Sequence, residues 1–184
     1  MHTLDTGAAE ERSEAHASSP KTPTTARPSE AVEIIEYDPQ YREAFKQLNL
    51  EWIAHYFAVE KADQVVLADP ERYILQPGGY IFFARYDGQI VGTCALIKHH
   101  RGRFELAKMA VTPRCRGRGI GGKLAAAAVQ KVRSLGEQRL FLETNRRLLP
   151  AMALYKKIGF RERAYPHRHP RRYRRADTYM VIDL

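Results

Sequence analysis

At 184 residues the chain has the size of one domain, at the usual ~100–200 residues each, and 44% hydrophobic with 28% charged residues excludes collagen-like, coiled-coil and wholly disordered chains. The formal net charge of +9 suits anionic ligands: a phosphorylated cofactor, an acidic substrate or nucleic acid. No apolar run nears the ~20 residues that span a bilayer, and the opening MHTLDTGAAEERSEAH has neither a basic nor an apolar leader region, so a cytoplasmic location is expected.

Residues 1–30 carry Arg12, Lys21 and Arg27 against Asp5, Glu10, Glu11, Glu14 and Glu30, and are otherwise rich in Ser, Thr, Pro and Ala. Such a segment cannot offset its own ordering entropy, and a disordered tail is expected there, followed by one domain over 31–184. Val32–Tyr37 reads as a strand. Asp38 and Pro39 form an N-cap and N1 pair, opening a helix whose Tyr41, Phe45, Leu48, Trp52 and Tyr56 recur every three to four residues. A shorter helix is expected near Lys61–Leu67, before Asp69-Pro70 breaks it.

The pattern then turns to strand composition. Tyr80–Tyr86, the turn Asp87-Gly88 and Gln89–Lys98 make a hairpin, because both turn positions call for positive φ. His99–Arg103 is another polar turn and Phe104–Val111 a third strand. A glycine-rich loop, Arg114–Gly122, leads into a helix with Leu124, Ala128, Val132 and Leu135 on one face and Gly136 as its stop. Arg139–Thr144 is the next strand, Pro150 opens a helix ended by Gly159, and Phe160–Ala164 and Asp177–Leu184 are the last strands. A meander with one crossover places the chain in the α/β or α+β class.

The loop is the most informative segment. Gly117, Gly119, Gly121 and Gly122 leave backbone N–H groups unshielded, and they precede a helix N-terminus, where an anion is favoured. A Walker loop is excluded because Leu124 follows Lys123 where a hydroxyl is needed. Gly117-x-Gly119-x-x-Gly122 matches the dinucleotide fingerprint formally, with Glu143 at a suitable distance, but the loop follows a meander late in the chain rather than opening a parallel sheet.

Arg116-Gly117-Arg118-Gly119-Ile120-Gly121, preceded by Met109-Ala110-Val111-Thr112-Pro113, resembles the Gln/Arg-x-x-Gly-x-Gly/Ala motif of the GNAT superfamily of N-acetyltransferases. Ala151–Phe160 is similar to that family's second signature, Ala-x-x-x-Tyr-x-x-x-Gly-Phe. The resemblance covers roughly residues 31–184. It implies a strongly twisted mixed sheet of about seven strands flanked by about four helices, splayed between its fourth and fifth strands. Acetyl-CoA as co-substrate would place its pantetheine in the splay and its pyrophosphate on the amides of Arg116, Gly117, Arg118, Gly119, Ile120, Gly121 and Gly122.

The resemblance also assigns roles. An amine with a pKa near that of lysine, ~10.4, is almost wholly protonated at neutral pH, so transfer needs a base. Glu105, six residues before Val111, stands where several family members place one; the alternatives are an exposed strand residue or one paired with Arg103 or Lys108. Tyr155 stands where the family places the tyrosine that protonates the leaving thiolate; its alternative is a core aromatic. A backbone N–H among Met109, Ala110 and Val111 would meet the developing oxyanion. Where many members carry an asparagine seven residues before the tyrosine, this chain has Leu148, and Asn145 is the substitute candidate for the pantetheine.

Arg161 to Arg175 carries seven arginines against one glutamate. It is expected to select acceptors with a carboxylate or phosphate, a solvated charge run being the alternative. His99-His100 and His167-x-His169 lack a third metal ligand and are expected to be exposed polar residues, with no metal bound. Cys94 and Cys115 are too few for a disulfide framework, and direct transfer is preferred to a covalent route through Cys115. The function expected is acetyl transfer to the primary amine of a small molecule, such as an amino acid or related metabolite. Alternatives are acetylation of protein lysines or N-termini, a non-catalytic acetyl-CoA-binding module, and a nucleic-acid binder using Tyr165 and Tyr173 as stacking groups. A homodimer is a further expectation.

Overall fold

A computed structural model describes residues 31–166 and 173–184; the tail expected over 1–30 and the histidines and arginines at 167–172 lie outside the described residues. Its strands are β1 (Glu33–Glu36), β2 (Tyr80–Tyr86), β3 (Gln89–Lys98), β4 (Phe104–Val111), β5 (Arg139–Thr144), β6 (Arg161–Arg163) and β7 (Thr178–Asp183). The α-helices are α1 (Arg42–Tyr56), α2 (Lys61–Ala68), α3 (Ile120–Ser134) and α4 (Leu149–Ile158). The strands form one sheet in the order β1-β2-β3-β4-β5-β7-β6. Every neighbouring pair is antiparallel except β4 with β5.

Local chemistry sets the element ends. The Asp38 carboxylate accepts from the Gln40 amide at 2.9 Å and Pro39 follows it, opening a 3-10 turn that continues into α1. Glu60 and Asp63 form a reciprocal capping box at the start of α2. As expected, α2 ends before Asp69-Pro70, and beyond them the chain makes one wide π-type turn over Glu71–Leu75. Asp87 and Gly88, with φ of 50° and 70°, make the mirror-image turn that matches the twist of the β2–β3 hairpin.

Helices cover both faces of the sheet. Phe45 and Ile53 of α1 with Val66 and Leu67 of α2 pack against Phe83, Ala95 and Ile97 on one face. On the other, Ile120, Leu124, Ala125, Ala128, Val129 and Val132 of α3 meet Phe82, Leu96, Leu106 and Leu142. Leu135, expected on that helix face, is instead exposed. It follows the last helical residue and lies where the chain turns away at Gly136, φ 75°.

Candidate active site

Two backbone irregularities open the site. Although β4 and β5 are adjacent, they pair only at Phe104–Leu140 and Glu105–Phe141 and diverge beyond, as the resemblance implied. The β5-facing edge of β4 past Glu105 therefore has no strand partner for its amides. Opposite this gap the β3–β4 register slips, with Thr93 facing Ala110 but Ala95 facing Ala107. Lys108 and Met109 thus share one partner, and Lys108 takes a left-handed φ of 52°, a bulge that increases local twist and re-aims side chains. A cavity of about 570 Å³ fills the divergence.

At one end of the cavity lies the glycine loop. Of the four glycines only Gly117 and Gly119 take positive φ, 79° and 74°. Gly121 and Gly122 are already helical and supply room: a Cβ on Gly121 would stand 3.1 Å from Leu154 and 3.3 Å from Met109. Arg116, Gly117, Gly119, Ile120, Gly121 and Gly122 line the cavity with Met109, Ala110, Val111 and Asn145. Arg118 does not; its guanidinium donates to the Tyr86 hydroxyl at 3.1 Å and lies over that ring.

Gly119 caps α3 in the left-handed region, and a Cβ there would meet nothing within 4 Å. Gly119→Ala therefore isolates backbone strain of ~1–2 kcal/mol. Thermal unfolding is expected to register this as a melting temperature lower by roughly 2–8 °C. Gly122→Ala, at a helical position with Leu154 at an ordinary 3.9 Å, should melt no lower than the parent.

Glu105 and Tyr155 both line the cavity. Glu105 is buried, and its Oε2 stands 2.8 Å from His99 Nε2, so its partner is neither Arg103 nor Lys108. This corrects the reading of His99 as an exposed polar residue: the turn carries its half-buried ring back beside β4. The Tyr155 hydroxyl donates to the Met109 thioether at 3.8 Å, and burial, with Cys94 nearby, pushes the phenol well above its usual pKa. It is a protonated donor at neutral pH. Cys115 is buried and lines the cavity; the Cys94 thiol, pushed up by burial, donates to the Leu124 carbonyl at 3.6 Å.

Lys108, Tyr173 and Arg175 also line the cavity and are tied to an acid that the sequence reading missed. Asp63, fully buried on α2, accepts from Lys108 Nζ at 2.8 Å and from both terminal nitrogens of Arg175 at 2.6 and 2.8 Å. Lys108 also donates to the Tyr173 hydroxyl at 2.8 Å, and the Arg175 guanidinium lies 4.3 Å from that ring's centre. Glu60 accepts from the Arg174 and Arg175 amides. Of the basic run meant for anionic acceptors, Arg175 thus has its fork matched inside the protein. The Asn145 amide donates to the Arg175 carbonyl at 2.6 Å and accepts from the Arg147 amide at 2.9 Å, so its polar atoms tie β5 to this segment. Trp52 and Phe57 from the α1 end also line the cavity, and the Tyr56 hydroxyl accepts from Arg116 of the glycine loop at 3.4 Å. The signal that could have found Asp63 is its place as the N3 partner of Glu60 in a capping box.

Among the described residues no group of three or more His, Cys, Asp or Glu side chains could hold a metal ion. None of the described helices is long and apolar enough to cross a membrane.

In sequence and fold the chain is similar to known acetyltransferases. N-acetyltransferase YjgM of Escherichia coli (strain K12) is 38% identical over 88 residues, which are 46% of this chain and 53% of that protein; the chain spans about half the length of that relative. An N-acetyltransferase of Schizosaccharomyces pombe is 31% identical over 128 residues, 67% of this chain and 78% of that one. Among solved structures, an acetyltransferase of the GNAT family from Staphylococcus aureus Mu50 superposes with a TM-score of 0.75 at 26% identity, covering 83% of this chain and 99% of that one. The acetyltransferase yncA of Salmonella typhimurium, solved with acetyl-CoA, gives 0.63 at 17% identity over 83% and 94%. The model of the acetyltransferase (GNAT) family matches residues 36–160, from the end of β1 through both glycine motifs to Phe160, and the chain belongs to that family.

Proposed function

We propose that the protein moves the acetyl group of acetyl-CoA to the primary amine of a small molecule by direct transfer. The observation that carries this reading is one cavity lined both by residues of the glycine loop and by Glu105 and Tyr155. Such a cavity lies within the ~300–1,000 Å³ of small-molecule sites. Trp52, Phe57 and Tyr173 also line it, with Phe57 and Tyr173 against the cations of the Asp63 network, and an acceptor seated among them would be a small amine rather than a protein lysine on an open surface.

The residues fit acetyl-CoA. Its pyrophosphate would rest on the amides of Arg116 to Gly122 at the positive end of α3, and its pantetheine would lie along the unpaired edge of β4. Bound there, the thioester supplies an activated acyl group. Glu105 would take the proton that the acceptor ammonium must lose, directly or through water. A backbone N–H of Met109 to Val111 would meet the oxyanion, and a fixed amide needs no reorganisation as charge develops. Tyr155 would give its proton to the departing thiolate.

Removing that proton in Tyr155→Phe is expected to lower kcat about 10²-fold. The melting temperature should hardly move, because the hydroxyl's described partner is a thioether at 3.8 Å. Thiol release against a panel of amino acids, polyamines, aminoglycosides and lysine peptides tests the whole reading. Turnover only with lysine peptides would move the assignment to protein acetylation, and failure to bind acetyl-CoA would end it.

A further inference from the structure

His99 sits between β3 and β4, six residues before Glu105, and its backbone N–H donates to the Arg103 carbonyl at 2.8 Å. That closed turn brings the imidazole to the Glu105 carboxylate, with 2.8 Å between Nε2 and Oε2. Glu105 lines the cavity and His99 does not. The side chains are 7% and 27% exposed respectively, so the imidazole reaches the carboxylate from outside the cavity and retains contact with solvent. The His99 ring also packs on Phe141, with centroids 5.2 Å apart. Phe141 in turn packs against Tyr179 and carries the Arg103 guanidinium near its ring.

An ionised carboxylate only accepts hydrogen bonds, so Nε2 carries the proton in this contact. A carboxylate held at one oxygen by a fixed donor loses its freedom to rotate, and the reach of a general base depends on that orientation. We propose that His99 is the positioning residue of this site: its Nε2–H holds Oε2 of Glu105 and thereby presents Oε1 to the acceptor amine. The proposal rests on Glu105 being the base. A purely structural histidine would be valued for its ring against Phe141; a positioning histidine is valued for its N–H.

Two substitutions separate these roles. His99→Gln keeps an N–H donor and loses the ring; His99→Phe keeps a ring and loses the donor. Steady-state kinetics should find kcat of His99→Gln within about threefold of the parent. His99→Phe should fall roughly 10²-fold, the scale of a misplacement of ~1 Å, with KM for acetyl-CoA and the melting temperature unchanged. The reverse order, with Phe active and Gln impaired, would overturn the proposal. Should His99→Phe unfold, His99→Ala supplies the same test, since added imidazole should restore its kcat in a saturable way, and absence of rescue counts against positioning. Glu105→Gln is measured alongside: if it keeps full kcat, the base assignment itself has failed, whereas an inactive Glu105→Gln beside a fully active His99→Phe refutes only the role of His99.

Discussion

Glu105→Gln is expected to lower kcat by roughly 10²–10⁴-fold, the usual contribution of a general base, while acetyl-CoA affinity stays within about twofold. The amide is nearly isosteric with the carboxylate and can still accept from His99 Nε2, so the fold and the β3–β4 turn keep their contacts. What disappears is the acceptor for the ammonium proton. With an amine pKa near ~10.4 only about one molecule in a thousand is neutral at pH 7.4, and the variant must wait for that fraction. Its rate should therefore climb about tenfold per pH unit toward the amine's own pKa. Initial rates from pH 6 to 9 provide the check: parent-like kcat across that range would remove Glu105 from the chemistry.

Much of this site was legible because it depends on local backbone rules. A glycine with φ above zero, a proline at N1 and an Asp-Gly turn each constrain a few consecutive residues, so the hairpin, the loop of Arg116 to Gly122 and the start of α4 could be read without tertiary knowledge. The resemblance added the splay between β4 and β5, which no local pattern encodes. Three features remained hidden for a common reason. The bond from His99 to Glu105 depends on how a turn closes, the bulge at Lys108 on a register slip against Cys94, and the partners of Asp63 on contacts 45 and 112 residues away. Nor does charge counting show which arginines of a linear run stay free to bind an anion: Arg175 is paired with Asp63 on a distant helix.

That buried acid carries the largest stability effect expected here. Asp63 joins α2, the β4 bulge and the segment before β7 through Lys108 and Arg175. Burial by itself would raise its carboxyl, but the Arg175 hydrogen bonds and the Lys108 charge hold it below the usual carboxylate value. A carboxyl depressed by folding contributes stability above its unfolded value of ~3.9, and that contribution is lost as pH falls through the folded value. Asp63→Asn leaves the buried Lys108 ammonium without its counter-charge and Arg175 with only Glu60 as acid partner. Breaking such a pair from one side costs ~3–5 kcal/mol, or a melting temperature lower by roughly 6–20 °C for a chain of this size. Lys108→Met should cost less, because Arg175 keeps both bonds to Asp63, and adding it to Asp63→Asn should recover part of the loss by removing the stranded cation. Thermal unfolding of the three variants tests this, and a parent-like melting temperature for Asp63→Asn would show the network to be energetically idle. The same variant also tests the proposed site: as Tyr173 and Arg175 loosen, KM for the acceptor should rise, while acetyl-CoA, proposed to lie on the glycine loop, should bind as before.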